Sequence, residues 1–294
     1  MHKSVLLNEV IEILNPRPGD NFIDCNLGFA GHTKALLEKT SPSGKVLGIE
    51  ADQRAIAQLK SEIASNDDLQ KRLIITQGNF VDLKEIQEAH DFSPIQGILF
   101  DLGLSSWQLE QSNRGFSFLK DEPLLMNYQE DGLTAQEIVN EWPEKELADL
   151  IYEYGEERYS RKIARNICNM RKQKAITRTS QLVEAIKYAV PGKYRRSNRI
   201  HFATRTFQAL RIVVNQELDS LEKVLPQAFE ILETGNRLAV ISFHSLEDRI
   251  VKNFLRDHKE DLDILTKKPI VASEEEIKFN PRSRSAKLRA AIKK

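Results

Sequence analysis

Four short apolar segments recur through the first hundred residues, and each one ends close to an acid or a glycine. They are NFIDCN (21–26), KVLGIEAD (45–52), RLIITQGNF (72–80) and GILFDLG (97–103). Helical patterns follow the first three, at spacings of about 25 residues that suit βαβ units of a parallel sheet covered on both faces. A strand in NRLAVISF (236–243) and a last one in SAKLRAAIKK extend this sheet at the other end of the chain.

The middle of the chain shows a different pattern. Between Ser112 and Arg211 there is no convincing strand, whereas a capping box at Thr134–Glu137 and Pro143 in a first turn indicate helices. The sequence therefore predicts an α/β domain, doubly wound, formed by residues 1–111 and 212–294. An inserted α-helical domain, residues 112–211, interrupts it.

Composition excludes several classes of protein. The chain has 294 residues, 40% hydrophobic and 29% charged, which is ordinary for a globular protein. Cys25 and Cys168 lie far apart without CxxC spacing, so we expect a reducing compartment and no metal site. No apolar run approaches the roughly 18 residues of a membrane helix, and the N-terminus makes a poor signal peptide. We therefore expect a soluble cytoplasmic protein without membrane contact.

A net charge of zero conceals three basic stretches that contain no acid. Residues 158–178 hold eight Lys and Arg, residues 190–211 hold six, and residues 280–294 hold six. One such stretch would be typical of a solvated helix face, but three on a balanced chain favour a polyanionic partner such as a nucleic acid.

The turn after the first strand, in NFIDCNLGFAGHTKALL, is the place where open α/β sheets bind ligands. It lacks the GxxxxGK[ST] of a P-loop, and the spacing of Gly28, Ala30 and Gly31 does not match GxGxxG. S-adenosylmethionine carries no phosphate, so its loop needs only small residues that let the backbone approach the ligand closely. An acid such as Asp24 is tolerated near the ammonium and sulfonium charges of this ligand. Glu50 ends the second strand and suits ribose hydroxyls, which both NAD and S-adenosylmethionine possess.

Later strand ends supply further candidates. Asn79 or Phe80 after the third strand is placed to contact an adenine, and Asp101 lies at the tip of the fourth. His244 follows the fifth strand, either at the ligand edge or as a structural histidine before a helix capped by Ser245.

Eight blocks of this sequence resemble the signature blocks of a known family, the 16S rRNA (cytosine-N4)-methyltransferases, or RsmH/MraW family. The blocks are DCNLGFAGHT, DLGLSSWQL, RGFSF, YGEERYSRKIARNI, ITRTSQL, ATRTFQALRI, RLAVISFHSLEDRIVK and NPRSRSAKLR, spread from about residue 2 to residue 294. The resemblance implies a class I (Rossmann-like) S-adenosylmethionine-dependent methyltransferase sheet with an inserted helical domain. It also implies N4-methylation of one cytidine, at position 1402 of 16S rRNA in the small ribosomal subunit.

By position, the resemblance also implies functional residues. The family's cofactor contacts fall on Ala30, Gly31, His32, Glu50, Phe80, Asp101 and Gln108. Asp101 is in addition our catalytic candidate, because a carboxylate there can accept a proton or hydrogen bond from the cytosine amine. The predicted RNA contacts are Arg195, Arg196, Arg199 and Arg205. The alternative role of Arg205 and Arg211 is to cap or bridge helices. The sequence is also compatible with a homodimer.

The sequence departs from the family pattern at five positions. Ala30 stands where glycine is usual, a mild change, Glu50 where aspartate is usual and Trp107 where proline is usual. Leu125 and Asn127 replace an acid and an arginine in a block that can seat the cytidine. Two alternative functions remain at this point, a catalytically weakened RNA-binding ribosome-assembly factor and an NAD-dependent oxidoreductase.

Overall fold

The computed structural model describes residues 4–104, 112–128, 132–197 and 200–294. The chain divides into two compact units, which we describe separately. Unit 1 comprises residues 1–103 and 218–294, and unit 2 comprises residues 104–217. Among the described residues, no helix combines the length and the apolar character that crossing a membrane requires.

Unit 1 is built on a sheet of seven strands in the order β3-β2-β1-β4-β5-β7-β6. The strands are β1 (Phe22–Asp24), β2 (Val46–Glu50), β3 (Leu73–Gln77), β4 (Gly97–Asp101), β5 (Arg237–Ser242), β6 (Leu262–Ile264) and β7 (Lys287–Lys293). The strands β1 to β5 are parallel, whereas β7 runs antiparallel to both β5 and β6. The strand order reverses between β1 and β4, and such a switch point opens a crevice at the carboxyl ends of the strands.

The helices of the described residues follow in chain order. They are α1 (Leu7–Leu14), α2 (Gly31–Lys39), α3 (Gln53–Ile63), α4 (Asp67–Arg72), α5 (Leu83–Ala89), α6 (Ala135–Glu141), α7 (Glu144–Glu153), α8 (Ser160–Arg171), α9 (Thr179–Ala189), α10 (Gly192–Ser197), α11 (Thr204–Asn215), α12 (Glu217–Ile231), α13 (Ser245–Asp257) and α14 (Glu274–Phe279). Helices α6 to α11 belong to unit 2. The 3₁₀ helices Phe80–Asp82 and Pro281–Ser285 lie in unit 1.

The sheet separates two hydrophobic clusters in unit 1. Phe22 belongs to one cluster and its neighbour Ile23 to the other, and Leu99 and Ile98 of β4 divide in the same way. Successive side chains of a strand point to opposite faces, so each strand contributes to both cores. For this reason the strands are continuous apolar runs in the sequence. The predicted α/β fold class is confirmed.

Unit 2 has a separate hydrophobic core formed by its own helices. The Thr134 hydroxyl accepts from the Glu137 N–H, and the Glu137 carboxylate accepts from the Thr134 N–H, which completes the capping box of α6. Pro143 is the N-cap of α7. Unit 2 extends beyond the predicted 112–211 at both ends. In unit 1 the short β6 was not predicted as a strand.

The close approach at Gly97 gives a test of the sheet packing. A Cβ at Gly97 would lie 2.6 Å from the ring of Phe22 and 3.2 Å from Leu14. We expect Gly97→Ala to lower the free energy of unfolding by about 1–3 kcal/mol, because the buried ring must move. Urea unfolding of the full chain measures this change, and an unchanged midpoint would show that Gly97 is not packed against Phe22 and Leu14 as described.

Candidate functional site

The end of β1 carries a buried acid that organises the following loop. Asp24 is 1% exposed, accepts a hydrogen bond from the Thr33 hydroxyl at 2.7 Å and accepts one from the Asn26 N–H at 3.2 Å. Burial raises the pKa of Asp24, although these hydrogen bonds and the nearby His32 lower it. Thr33 was not among the predicted site residues, because only the fold shows that its hydroxyl reaches the strand.

Backbone hydrogen bonds fix the loop formed by residues 25–30. The Cys25 N–H donates to the Leu99 carbonyl at 2.9 Å and the Leu27 N–H to the Ile49 carbonyl at 3.0 Å. The loop is therefore hydrogen-bonded to both strands that flank β1. These bonds hold it at the carboxyl edge of the sheet, beside the switch point.

Ala30 is the N-cap of α2 and adopts a left-handed conformation, with φ 58° and ψ 33°. That region costs a residue with a Cβ about 1–2 kcal/mol. The Ala30 methyl is fully buried, which returns about 0.8 kcal/mol. These opposing contributions explain why alanine can replace the usual glycine. At Gly31 a Cβ would lie 2.0 Å from the Ser4 hydroxyl, so packing of the N-terminal segment restricts that position.

Glu50 at the end of β2 links two loops. One carboxylate oxygen accepts from the Gly28 N–H at 3.0 Å and the other accepts from the Asp52 N–H at 2.9 Å. Burial raises the pKa of Glu50 to about 7, even though both hydrogen bonds lower it. Asp52 is itself the N-cap of α3, where it accepts from the Arg54 N–H. Glu50 thus holds the glycine loop against the second strand.

His32 and Asp101 meet across the switch point. His32 Nε2 lies 3.5 Å from Asp101 Oδ2, and the imidazole is 4% exposed. Burial lowers the pKa of His32, but the carboxylate of Asp101, with further help from Asp24 and Glu276, raises it to a net value above normal. Neither ring nitrogen of His32 nor Oδ1 of Asp101 has a hydrogen-bond partner among the residues that the structure describes.

Two further candidates lie after β3 and β5. Phe80 is half-buried and makes an edge contact with Phe100, with ring centroids 5.9 Å apart. His244, rather than the expected Ser245, is the N-cap of α13, because its ring accepts from the Glu247 N–H at 3.4 Å. Glu247 in turn accepts from the Phe243 N–H at 2.7 Å. His244 therefore has a structural role in the start of α13.

The predicted RNA contacts in unit 2 divide into two groups. Arg195 and Arg196 lie exposed on α10. Arg205 donates a hydrogen bond to the Glu156 carbonyl at 2.8 Å, and Arg211 forms an ion pair with Glu217 at 2.9 Å. Arg205 and Arg211 thus bridge elements of the helical unit. Arg199, Gln108 and Trp107 lie outside the described residues.

Two of the positions that depart from the family pattern, Leu125 and Asn127, lie in unit 2. The Leu125 N–H donates to the Arg114 carbonyl at 3.2 Å, and its side chain is half-buried. The Asn127 carbonyl accepts from the buried Arg114 guanidinium at 3.1 Å. Arg114 belongs to the RGFSF block, so the backbone carbonyl of Asn127 joins the two blocks.

The strand order and the switch point define the class of Rossmann-like α/β proteins, as the fold prediction stated. Within this class the chain is an S-adenosylmethionine-dependent methyltransferase, as the cofactor prediction stated. The sequence profile of the MraW methylase family matches residues 1–294. The chain therefore belongs to the MraW methylase family.

Individual relatives are similar over nearly the whole chain. Two named "Ribosomal RNA small subunit methyltransferase H" are 49% identical, one from Deinococcus deserti and one from Synechocystis sp.. Each comparison covers 99% of this chain and 93% of the relative. A protein of the same name from Syntrophotalea carbinolica is 45% identical, with 98% of this chain and 96% of the relative covered. A crystal structure of a proposed rRNA methylase from Clostridium thermocellum shares the fold, with a TM-score of 0.50, 12% identity and full coverage of both chains.

The raised pKa of Glu50 predicts a pH dependence of stability. The folded state binds this proton more tightly than the unfolded state, whose pKa is near 4.5, so stability from this group falls as the pH rises from 4.5 to about 7. We expect Glu50→Gln to gain up to about 3 kcal/mol relative to the native chain over that interval. Urea unfolding at a series of pH values measures the difference, with exposed Glu38→Gln as the control. A constant difference would contradict the assignment.

Proposed function

We propose that the chain transfers a methyl group from S-adenosylmethionine to N4 of one cytidine, position 1402, in 16S rRNA of the small ribosomal subunit. The observation that carries the proposal is 49% sequence identity, over almost the entire length, to relatives named as small-subunit rRNA methyltransferases. The N4 position rests on the signature blocks of the sequence, above all RGFSF and SFHSLEDRIVK.

The carboxyl edge of the unit 1 sheet fits this methyl donor. Asn26 Oδ1 and Asp101 Oδ1 are buried acceptors without a hydrogen-bond partner among the described residues. Asp24, Glu50 and Asp101 make the edge acidic, which suits a ligand that carries ammonium and sulfonium charges and no phosphate. When bound, the donor supplies an electrophilic methyl group. The dinucleotide alternative loses support, because the chain belongs to a methylase family.

Several residues would hold the donor. Glu50 would accept the ribose hydroxyls, since a carboxylate has lone pairs beyond those used by the Gly28 and Asp52 N–H groups. Phe80 would pack against the adenine. The backbone from Ala30 to His32 would line the methionine side, and Gln108 is carried over from the family alone.

Asp101 is our candidate for accepting the proton of the cytosine amine. The lone pair of that amine is delocalised into the ring, so the enzyme must position it, an effect that can supply roughly 7–11 kcal/mol. His32 Nε2 lies 3.5 Å from Asp101 Oδ2, and Oδ1 is left to accept a hydrogen bond as the nitrogen becomes tetrahedral. His32 therefore acts as a positioning residue for Asp101.

Binding of RNA would fall to the helical unit. A base in folded rRNA must be splayed out before an enzyme can reach it. Arg195 and Arg196 are exposed cations suited to phosphates, and Arg199 is proposed from the sequence alone. Arg205 has one N–H group engaged by the Glu156 carbonyl, so its contribution would come from the remaining donors.

The replacements at Leu125 and Asn127 favour one alternative, an RNA-binding assembly factor with weakened catalysis. The test is transfer of labelled methyl groups from S-adenosylmethionine to small-subunit particles that lack the modification. We expect one label per particle, recovered as N4-methylcytidine after digestion. Particle binding without label would support the assembly factor, and any other labelled nucleoside would refute the N4 assignment.

Replacing Asp101 by asparagine separates its two candidate roles. We expect Asp101→Asn to lower kcat by about a hundredfold or more, because asparagine cannot take up the proton. Donor affinity, measured by calorimetry, should change little. Asp52→Asn is a matched control at the same sheet edge, since asparagine caps helices as well as aspartate does. Full turnover by Asp101→Asn, or a loss confined to donor affinity, would disprove the proton-accepting role.

A further inference from the structure

Two acid-free basic stretches of unit 2 meet at a pair of tyrosines. Tyr159 precedes α8 and Tyr194 lies within α10, and their rings make an edge contact with centroids 4.8 Å apart. The Tyr194 hydroxyl donates to the fully buried carboxylate of Glu157 at 2.6 Å, and the Tyr159 N–H donates to the other oxygen at 2.9 Å. The short basic helix α10 is thereby tied to the turn before α8.

The same tyrosines hold cations from the first basic stretch. The Arg158 guanidinium lies 4.9 Å from the ring centroid of Tyr159 and 5.1 Å from that of Tyr194. The Lys162 ammonium is 6.0 Å from the Tyr159 centroid. Both side chains are exposed. Cation–π contacts fix these head groups in place while their N–H donors stay available to a ligand.

The second stretch brings two like charges close together. Guanidinium nitrogens of Arg195 and Arg196 lie 3.5 and 3.7 Å from the point that a Cβ would occupy on Gly192. Both guanidinium groups therefore lie near one point, and a phosphate placed there would be attracted by both of them.

These four cations lack the carboxylate partners that Arg165, Arg178 and Arg211 have. No described residue forms an ion pair with Arg158, Lys162, Arg195 or Arg196, and Glu157 is already occupied by its two hydrogen bonds. In contrast, Arg165 is paired with Glu144, and Arg178 with Asp121. The fold therefore leaves the charge at the tyrosine junction uncompensated.

We infer that Arg158, Lys162, Arg195 and Arg196 form one RNA-phosphate-binding surface, the tyrosine-linked basic surface. The inference rests on the proposed function and deepens it, because Arg158 and Lys162 were not among the residues predicted to contact RNA. Planar guanidinium groups with fixed orientation match phosphate oxygens, and charge without base contacts binds RNA irrespective of sequence. The surface would therefore set affinity and register, while unit 1 supplies the chemistry.

The test measures the affinity of the full chain for protein-free 16S rRNA between about 50 and about 200 mM salt. The two double variants are Arg158→Gln with Lys162→Gln, and Arg195→Gln with Arg196→Gln. We expect each to make the slope of log affinity against log salt less negative by about 1.4–1.8, because two phosphate contacts are lost. The control, Arg165→Gln with Arg256→Gln, removes the same charge from side chains already paired with Glu144 and Asp257, and should leave the slope unchanged.

Conservative variants and a second probe distinguish the outcomes. Arg158→Lys with Lys162→Arg keeps both charges and should retain the native slope, which a general loss of folding would not allow. If the Arg158 and Lys162 double variant leaves the salt slope unchanged, as the control does, while methyl transfer persists, then these residues do not bind RNA phosphates. In that case the tyrosine-linked basic surface is disproved and the proposed function stands. If affinity falls only for small-subunit particles, a ribosomal protein is the partner and the RNA inference is overturned. If the native chain neither binds nor methylates rRNA, both proposals fail.

Discussion

The buried carboxylate of Asp24 is the interaction on which the ligand edge of unit 1 depends. A carboxylate that is 1% exposed at the end of an apolar strand is costly unless its oxygens are hydrogen-bonded. Thr33 and the Asn26 N–H satisfy them, so one side chain fixes both the start of the loop and the first turn of α2. That turn sets His32 against Asp101, and the loop between lets Gly28 reach Glu50.

The charge at this edge follows from the same arrangement. Burial raises the pKa of Asp24 and of Glu50, which means that the fold removes water from these carboxylates before any ligand arrives. An edge that concentrates acids repels phosphate groups, and P-loops and dinucleotide sites instead offer amides and cations to phosphates. The acids attract a cationic ligand that has no phosphate. The electrostatics of the edge therefore agree with the family of the chain in favouring S-adenosylmethionine as the methyl donor.

The strands of unit 1 and the acids that end them could be predicted from sequence, because parallel strands buried on both faces are continuous apolar runs. The contacts between side chains could not. Thr33 lies in α2, whereas its partner Asp24 is the last residue of β1. Serine is the commoner N-cap, but the ring of His244 accepts from the Glu247 N–H and moves the start of α13. Strand β6 has three residues, too few for a periodic pattern.

In the helical unit, charge counts alone could not show which cations are available. Arg165, Arg178 and Arg211 each face a carboxylate and Arg205 donates to a carbonyl, so these four members of the basic stretches stabilise the unit itself. Arg158 and Lys162 at the Tyr159–Tyr194 contact lie against aromatic rings and form no ion pair with a described residue. Ordering a long side chain on binding costs about 0.5–1.5 kcal/mol, and stacking on a tyrosine removes part of that cost beforehand. Preorganised charge thus strengthens polyanion binding beyond what the same number of mobile lysines and arginines would achieve.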